Sequence, residues 1–331
     1  MPYGKGYIRN RDWRSGMVTC SAPGKMILFG EHAVVFGKPA LALAIDLRIT
    51  STVESSDQYS VNGHPMKKRH HAYISAALDE AWGGPPINID TISEIPSGSG
   101  LGSSAAVTVS CVAAMMARRG EVEPEKVALK SFLVENKVQG RASPTDTSTS
   151  THGQGVIVSP DKMDNFLWHV EQGQRSWNIH HCSVPQLHFV VGYTGIHAAT
   201  GPLVAGVKEL VDSSVDAAKA VDRIGEIVLE GVDALARSDK MKLGKLMNEN
   251  HMLLNGLEVG HPELERLIEA CRSDSYGAKL TGAGGGGSMI ALTDNVSEVA
   301  KAIREAGGKP IVVDVGVEGV RVEDLGGSRK R

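Results

Sequence analysis

An α+β fold is predicted by three features of the chain. Strand-like apolar runs come first, between residues 18 and 53; a helical period replaces them after a glycine-rich stretch at 98–102; and the second half is mostly helical, with isolated strands between the helices. In order, Val18 to Ala22 and Met26 to Phe29 read as short strands, Ala40 to Val53 as a longer one, and Ile87 and Ile89 alternate with polar neighbours in another. Ala105, Val109, Val112, Ala113 and Met116 then recur on one face of a helix. Leu129, Phe132 and Leu133 mark a second helix over 127–138, which Gly140 and Pro144 stop. The polar, weakly periodic stretch from Ser159 to Cys182 reads as the transition between two halves. Leu187 to Tyr193 is a strand, followed by helices over 203–211 and 215–235 and a helix that starts at Pro262. A strand at Met289 to Leu292, a helix around 299–306 and a strand around 311–315 complete the series.

Composition limits the function. With 331 residues, 41% hydrophobic and 22% charged, the chain has material for about two globular domains. A net charge of −3 supplies no global basic field for nucleic acid or anionic lipid, so any anion is held locally. The longest small-apolar stretch, Ala105 to Ala117, is too short for a membrane span, and residues 1–16 lack the apolar core of a secretory signal; a cytoplasmic protein is expected. Those 16 residues are aperiodic and are set apart as a mobile extension. Cys20, Cys111, Cys182 and Cys271 have neither zinc-site nor disulfide-scaffold spacing and read as reduced, mostly core thiols. The histidine pairs His70-His71 and His180-His181 read as surface loops rather than metal ligands, because adjacent residues do not share a helix face.

Two glycine runs carry the chemistry. The first, Pro96-Ser97-Gly98-Ser99-Gly100-Leu101-Gly102-Ser103-Ser104, leads directly into the helix at 105–116. Glycines there permit positive φ and close backbone approach, and the leading N–H groups and dipole of a helix favour a phosphate. The second, Lys279 to Ser288, formally contains GxGxxG, but a strand pattern follows it, where a dinucleotide fingerprint needs a helix. No glycine-lysine pair is followed by Ser or Thr, so there is no Walker A loop, and protein-kinase signatures are absent. A nucleotide enzyme with this sequence belongs to another fold.

Three segments, Ala22 to Gly37 (APGKMILFGEHAVVFG), Pro96 to Ala106 (PSGSGLGSSAA) and Lys279 to Gly287 (KLTGAGGGG), resemble in order and spacing the three motifs of the GHMP small-molecule kinases. The flank Gly30 to Gly37 and the stretch Ser143 to Thr147 are similar to the archaeal, mevalonate-phosphorylating branch. The resemblance covers about residues 17–320 and implies a two-domain α+β fold. Its nucleotide-binding domain, over 17–182, is of the ribosomal protein S5 domain 2-like type; its C-terminal domain, over 183–331, is of ferredoxin-like type. It further implies ATP and Mg²⁺ as cofactors, mevalonate as substrate, no nucleic-acid or membrane partner, and a homodimer.

Residue by residue, the resemblance implies catalytic roles for Lys25 and Asp146, beside the reactive hydroxyl. Phosphoryl transfer needs an alcohol in line with the γ-phosphate; a carboxylate either deprotonates or orients it, and an ammonium favours the alkoxide. Pro96 through Ser104 would wrap the phosphates, and Ser104 and Glu135 would hold the metal, a hard cation that takes oxygen donors. Lys25, Glu31, His32, Asp146, Thr200 and Gly284 would form the substrate site. Taken alone, Asp146 reads as a turn residue after proline and Glu135 as a solvated helix residue. Ala198 stands where animal members carry an arginine linked to substrate and isoprenoid inhibitor binding, which makes feedback inhibition by prenyl diphosphates an open matter. The alternatives are a sister activity, on phosphomevalonate or the mevalonate 3-hydroxyl, and a non-catalytic sensor of ATP and a metabolite. Lys25, Ser104, Glu135 and Asp146 together argue against the sensor, which needs neither base nor lysine.

Overall fold

The computed structural model describes residues 16–140, 142–197 and 200–323. The proposed extension at 1–16, apart from Gly16, and Ala198 lie outside them. In chain order the first half runs β1 (Val18–Phe29), a 3₁₀ turn (Ala33–Phe36), β2 (Ala40–Ser55), β3 (Ser60–Val61), β4 (His64–Pro65), α1 (Ala72–Ala81), β5 (Ile87–Ser93), α2 (Ser103–Arg118), α3 (Pro124–Gln139), α4 (Thr145–His152), β6 (Gly155–Ser159), β7 (Phe166–Gln172) and β8 (Arg175–Cys182). The second half runs β9 (His188–Tyr193), α5 (Thr200–Ser213), α6 (Val215–Ala236), α7 (Lys240–Gly256), α8 (Pro262–Ala270), β10 (Gly277–Thr281), β11 (Ser288–Leu292), α9 (Val296–Glu305), β12 (Lys309–Asp314) and β13 (Arg321–Val322). The expected α+β class holds.

Among the described residues the strands form two sheets. In the first, β2 pairs with β1 along one edge and with β6 and β5 along the other, at Ala40 to Leu43 and Ile49 to Ser55. The sheet extends through β8 and β7 on one side and β3 and β4 on the other. In the second, the order is β10-β11-β9-β12, all antiparallel. The chain then returns to the first sheet, where β13 pairs with Cys20 and Ser21 of β1. Met26, Leu43, Phe189, Ile290 and Val313 share one buried cluster, so the two sheets close over a common apolar interior. Each such side chain contributes about 1.5–3 kcal/mol on burial.

The register of β1 positions the site. It slips between Pro23, opposite Arg48, and Gly24, opposite Ile45. Val18 to Phe29 is therefore one strand with a bulge, where sequence predicts two, and a bulge re-aims the side chain that follows it, here Lys25. Gly24 is needed because a Cβ there would stand 2.8 Å from the Leu101 carbonyl oxygen.

Three further expectations change. The stretch 159–182 is no transition: it contains the hairpin β7–β8, whose polar residues alternate with buried Trp168, Val170, Trp177 and Ile179. His180 and His181 lie in β8, not in a loop; His180 is fully buried, and its Nε2 accepts from the Met163 N–H at 3.0 Å. Asp146 belongs to a helix, because α4 is built from hydroxyl residues that carry no apolar period; Thr149, for one, donates to the Thr145 carbonyl at 2.7 Å. All four cysteines are free and buried, and burial pushes Cys20 and Cys111 up to about 12. No described helix is long and apolar enough to cross a membrane.

Candidate active site

Lys25 leaves β1 just after the bulge, and its side chain is buried among neighbours from three elements. The backbone N–H donates to the Leu101 carbonyl at 2.9 Å, Nζ donates to the Gly100 carbonyl at 3.1 Å, and Nζ lies 3.2 Å from Asp146 Oδ2. Gly102 is the N-cap of α2 in the left-handed region, φ +79°, and a Cβ on it would meet the Lys25 Cγ at 2.9 Å. Glycine is thus required here both for its backbone conformation and for the lysine stem to pass. No side chain caps α2, and a helix start left without a cap is an arrangement that favours an anion.

Ser104, in the first turn of α2, donates from Oγ to Glu135 Oε1 of α3 at 3.1 Å. Glu135 is 3% exposed, and burial first, then the charge of Asp146, pushes its carboxyl up to about 8. Lys25 and the Ser104 hydroxyl oppose that shift. Two carboxyl groups share one ammonium here, which leaves the corner short of positive charge and favours a proton on Glu135. A divalent cation with oxygen ligands fits such a donor set and would relieve the repulsion.

The glycine run after β10 closes the site from the other half. Thr281 Oγ1 accepts from the Ile27 N–H and donates to the Ile27 carbonyl, each at 3.0 Å, which fastens β10 two residues beyond Lys25. Glu31 and Lys279 form an ion pair with no exposed surface on either side chain. Burial pushes the carboxyl up and the ammonium down, and each charge opposes the shift of the other. His32 adopts φ +61°, a conformation few non-glycine residues take, and its Nε2 donates to the Ala283 carbonyl at 2.9 Å. The buried His32 Nδ1 has no hydrogen-bond partner among the described residues, and burial lowers the ring's pKa. Gly284, φ +82°, packs against Val259, where a Cβ would come within 2.1 Å of the carbonyl oxygen.

The β9–α5 connection bridges both loops. Tyr193 Oη donates to the Ser97 carbonyl at 3.2 Å, Thr194 Oγ1 donates to the Gly287 carbonyl at 2.8 Å, and a Cβ on Gly98 would meet the His197 ring at 2.6 Å.

The structure therefore brings Lys25, Asp146, Ser104, Glu135 and the loop Pro96 to Gly102 together, and attaches Glu31, His32 and Gly284 to them through the second glycine run. Thr200 opens α5 with an exposed side chain. Sequence reasoning quoted Lys279 and Thr281 within the third motif without giving either a role, and passed over Tyr193. Only Lys279 carries a signal, as a charge inside a strand whose every residue is buried.

Comparisons with known proteins give the family. The N-terminal domain of the GHMP kinases matches residues 70–154, and the GHMP kinase C-terminal region matches 232–309. A mevalonate kinase of Pyrococcus abyssi is 36% identical, with 93% of this chain and 98% of that protein covered. The crystal structure of the Methanococcus jannaschii mevalonate kinase has a TM-score of 0.74 at 25% identity, covering 91% of this chain and 99% of that one. The L. major mevalonate kinase, solved in complex with R-mevalonate, has a TM-score of 0.76 at 26% identity, covering 90% and 96%.

Proposed function

This chain belongs to the GHMP kinase family, and from that premise we propose that it transfers the γ-phosphoryl group of ATP to the 5-hydroxyl of (R)-mevalonate. The observation that carries this reading is the Lys25–Asp146 pair, 3.2 Å apart, at the mouth of a glycine loop that leads into a helix. The mevalonate kinases to which the chain is similar support the substrate.

In this reading Pro96 through Ser104 cradle the phosphates with backbone N–H groups and the dipole of α2. Asp146 accepts the hydrogen bond of the attacking hydroxyl and takes its proton as the new O–P bond forms, while the bond from the γ-phosphorus to ADP breaks. Lys25 stabilises the developing negative charge on the alcohol oxygen and, by its bond to Gly100, keeps the loop in register with it. Ser104 and Glu135 would hold Mg²⁺, which when bound neutralises phosphate charge. Glu31, His32, Thr200 and Gly284 line or support the mevalonate site: His32 offers its unpaired Nδ1, and the Glu31–Lys279 pair backs the wall. A cytoplasmic homodimer, divided into domains at 17–182 and 183–331 except that β13 of the second returns to pair in the sheet of the first, completes the proposal.

ADP release from Mg-ATP with (R)-mevalonate, combined with phosphorus and carbon NMR of the product, tests it. Turnover to the 5-phosphate is the expected result. Phosphate on the 3-hydroxyl, or turnover only with phosphomevalonate, moves the chain to a sister activity; no turnover with either returns it to the sensor reading. Light scattering gives the assembly state.

A further inference from the structure

The Ser104–Glu135 pair is braced by two side chains from neighbouring helices. Tyr73, in the first turn of α1, accepts at its hydroxyl from Gln139 Nε2 at 3.1 Å, and the same Gln139 amide reaches Glu135 Oε1 at 3.5 Å from the last turn of α3. With the Ser104 to Glu135 bond at 3.1 Å, four side chains from three helices form a chain that runs from Tyr73 through Gln139 and Glu135 to Ser104.

A serine hydroxyl has one proton and two lone pairs. Here its proton goes to Glu135, so its lone pairs are left for a further ligand. Gln139 donates to the carboxylate oxygen that Ser104 already occupies, which fixes how that carboxylate turns. The bridge is little needed as a tie between α1 and α3. Lys137 already pairs with Asp79 at 2.9 Å, and Lys130 Nζ already donates to the Glu80 carbonyl at 2.6 Å.

We propose that Tyr73 and Gln139 are positioning residues for the divalent cation: Tyr73 holds Gln139, which fixes how the Glu135 carboxylate turns, and through it the direction of the Ser104 proton, before the nucleotide arrives. The inference rests on reading Ser104 and Glu135 as the cation's ligands, and the experiment separates the two ideas.

Mn²⁺ binding to the enzyme–ATP complex is measured by water-proton relaxation, and ATP binding in EDTA by calorimetry, for the parent chain and for Tyr73→Phe, Gln139→Leu and Glu135→Gln. Tyr73→Phe and Gln139→Leu are each expected to weaken Mn²⁺ by about 10-fold, the usual effect of losing an outer partner of a metal ligand, with metal-free ATP affinity and Tm unchanged. Loss of Mn²⁺ affinity in Glu135→Gln, with Tyr73→Phe and Gln139→Leu like the parent, overturns the positioning role and keeps the ligands. Unchanged Mn²⁺ affinity in Glu135→Gln removes the ligand reading and this inference with it. Equal weakening of Mn²⁺ and of metal-free ATP in Tyr73→Phe or Gln139→Leu means that the bridge only holds the loop, which also overturns the proposal.

Discussion

The Lys25 ammonium stands 3.2 Å from Asp146 Oδ2 and donates to the Gly100 carbonyl at 3.1 Å, so one cation joins the carboxylate of α4 to the glycine loop ahead of α2. Neither partner is near the other in sequence; the bulge in β1 and the placement of α4 bring them together.

If Asp146 handles the proton of the alcohol, Asp146→Asn keeps the shape and loses the chemistry. The expected outcome is a fall in kcat of about 10²- to 10⁴-fold, the range for a positioned base, with ATP affinity close to the parent value. Steady-state ADP release together with calorimetric ATP titration checks it. An undiminished rate removes Asp146 from the mechanism.

Gly102→Ala meets two obstacles, a φ of +79° and the Lys25 stem 2.9 Å from the new Cβ. Gly63, φ +73°, has the first obstacle and open space around it. Both alanine variants should lose about 1 kcal/mol or more in urea unfolding. Only Gly102→Ala should lose turnover as well, because it alone displaces Lys25. Equal activity in the two variants would show that the lysine stem tolerates the methyl group.

The Glu31–Lys279 pair has no exposed surface, so removing one partner strands a buried charge. Lys279→Met or Glu31→Gln alone should cost about 3–5 kcal/mol, and the double variant should recover much of that loss. A denaturation cycle measures the coupling. Additive losses would mean that the two charges do not stabilise each other in the folded state.

His152 ends α4, and its Nε2 is 2.8 Å from His181 Nδ1, with the Trp168 ring on another side. Burial first, then His181, lowers its pKa from 6.5 to about 4. The folded state therefore resists a proton that the unfolded chain accepts. This contribution to stability is complete above pH 6.5 and is lost as pH falls through 4. Thermal unfolding of the parent chain and of His152→Gln between pH 7 and 4 should give a steeper loss for the parent across that window. Parallel curves would place the acid sensitivity elsewhere.

Much of this was legible in the sequence, and the limits have physical causes. Apolar period located α6 because it presents one continuous buried face, as at Val221, Ile224 and Val228, and α2 because its apolar residues, Ala105, Val109, Val112 and Met116 among them, bury it on nearly every side. It failed at α4, whose buried face is made of Thr147, Ser148, Thr149, Ser150 and Thr151, and at α7, where Asn250 and His251 interrupt the apolar face while themselves buried. The hairpin β7–β8 was missed because one of its faces is solvated, so its alternating Trp and Val residues were diluted by histidine, glutamate and asparagine.

By itself the sequence determined the α+β class, the two glycine runs and, through three ordered motifs, the family with its lysine, aspartate, serine and glutamate. These depend on local spacing, which a chain carries whether or not it is folded. Only the tertiary structure decided that Lys25 faces Asp146, that Glu31 is committed to Lys279 and His32 to Ala283, and that Gln139 bridges Tyr73 to Glu135. Those contacts join residues far apart in the chain and exist because burial leaves a polar group no partner except the one that packing brings to it.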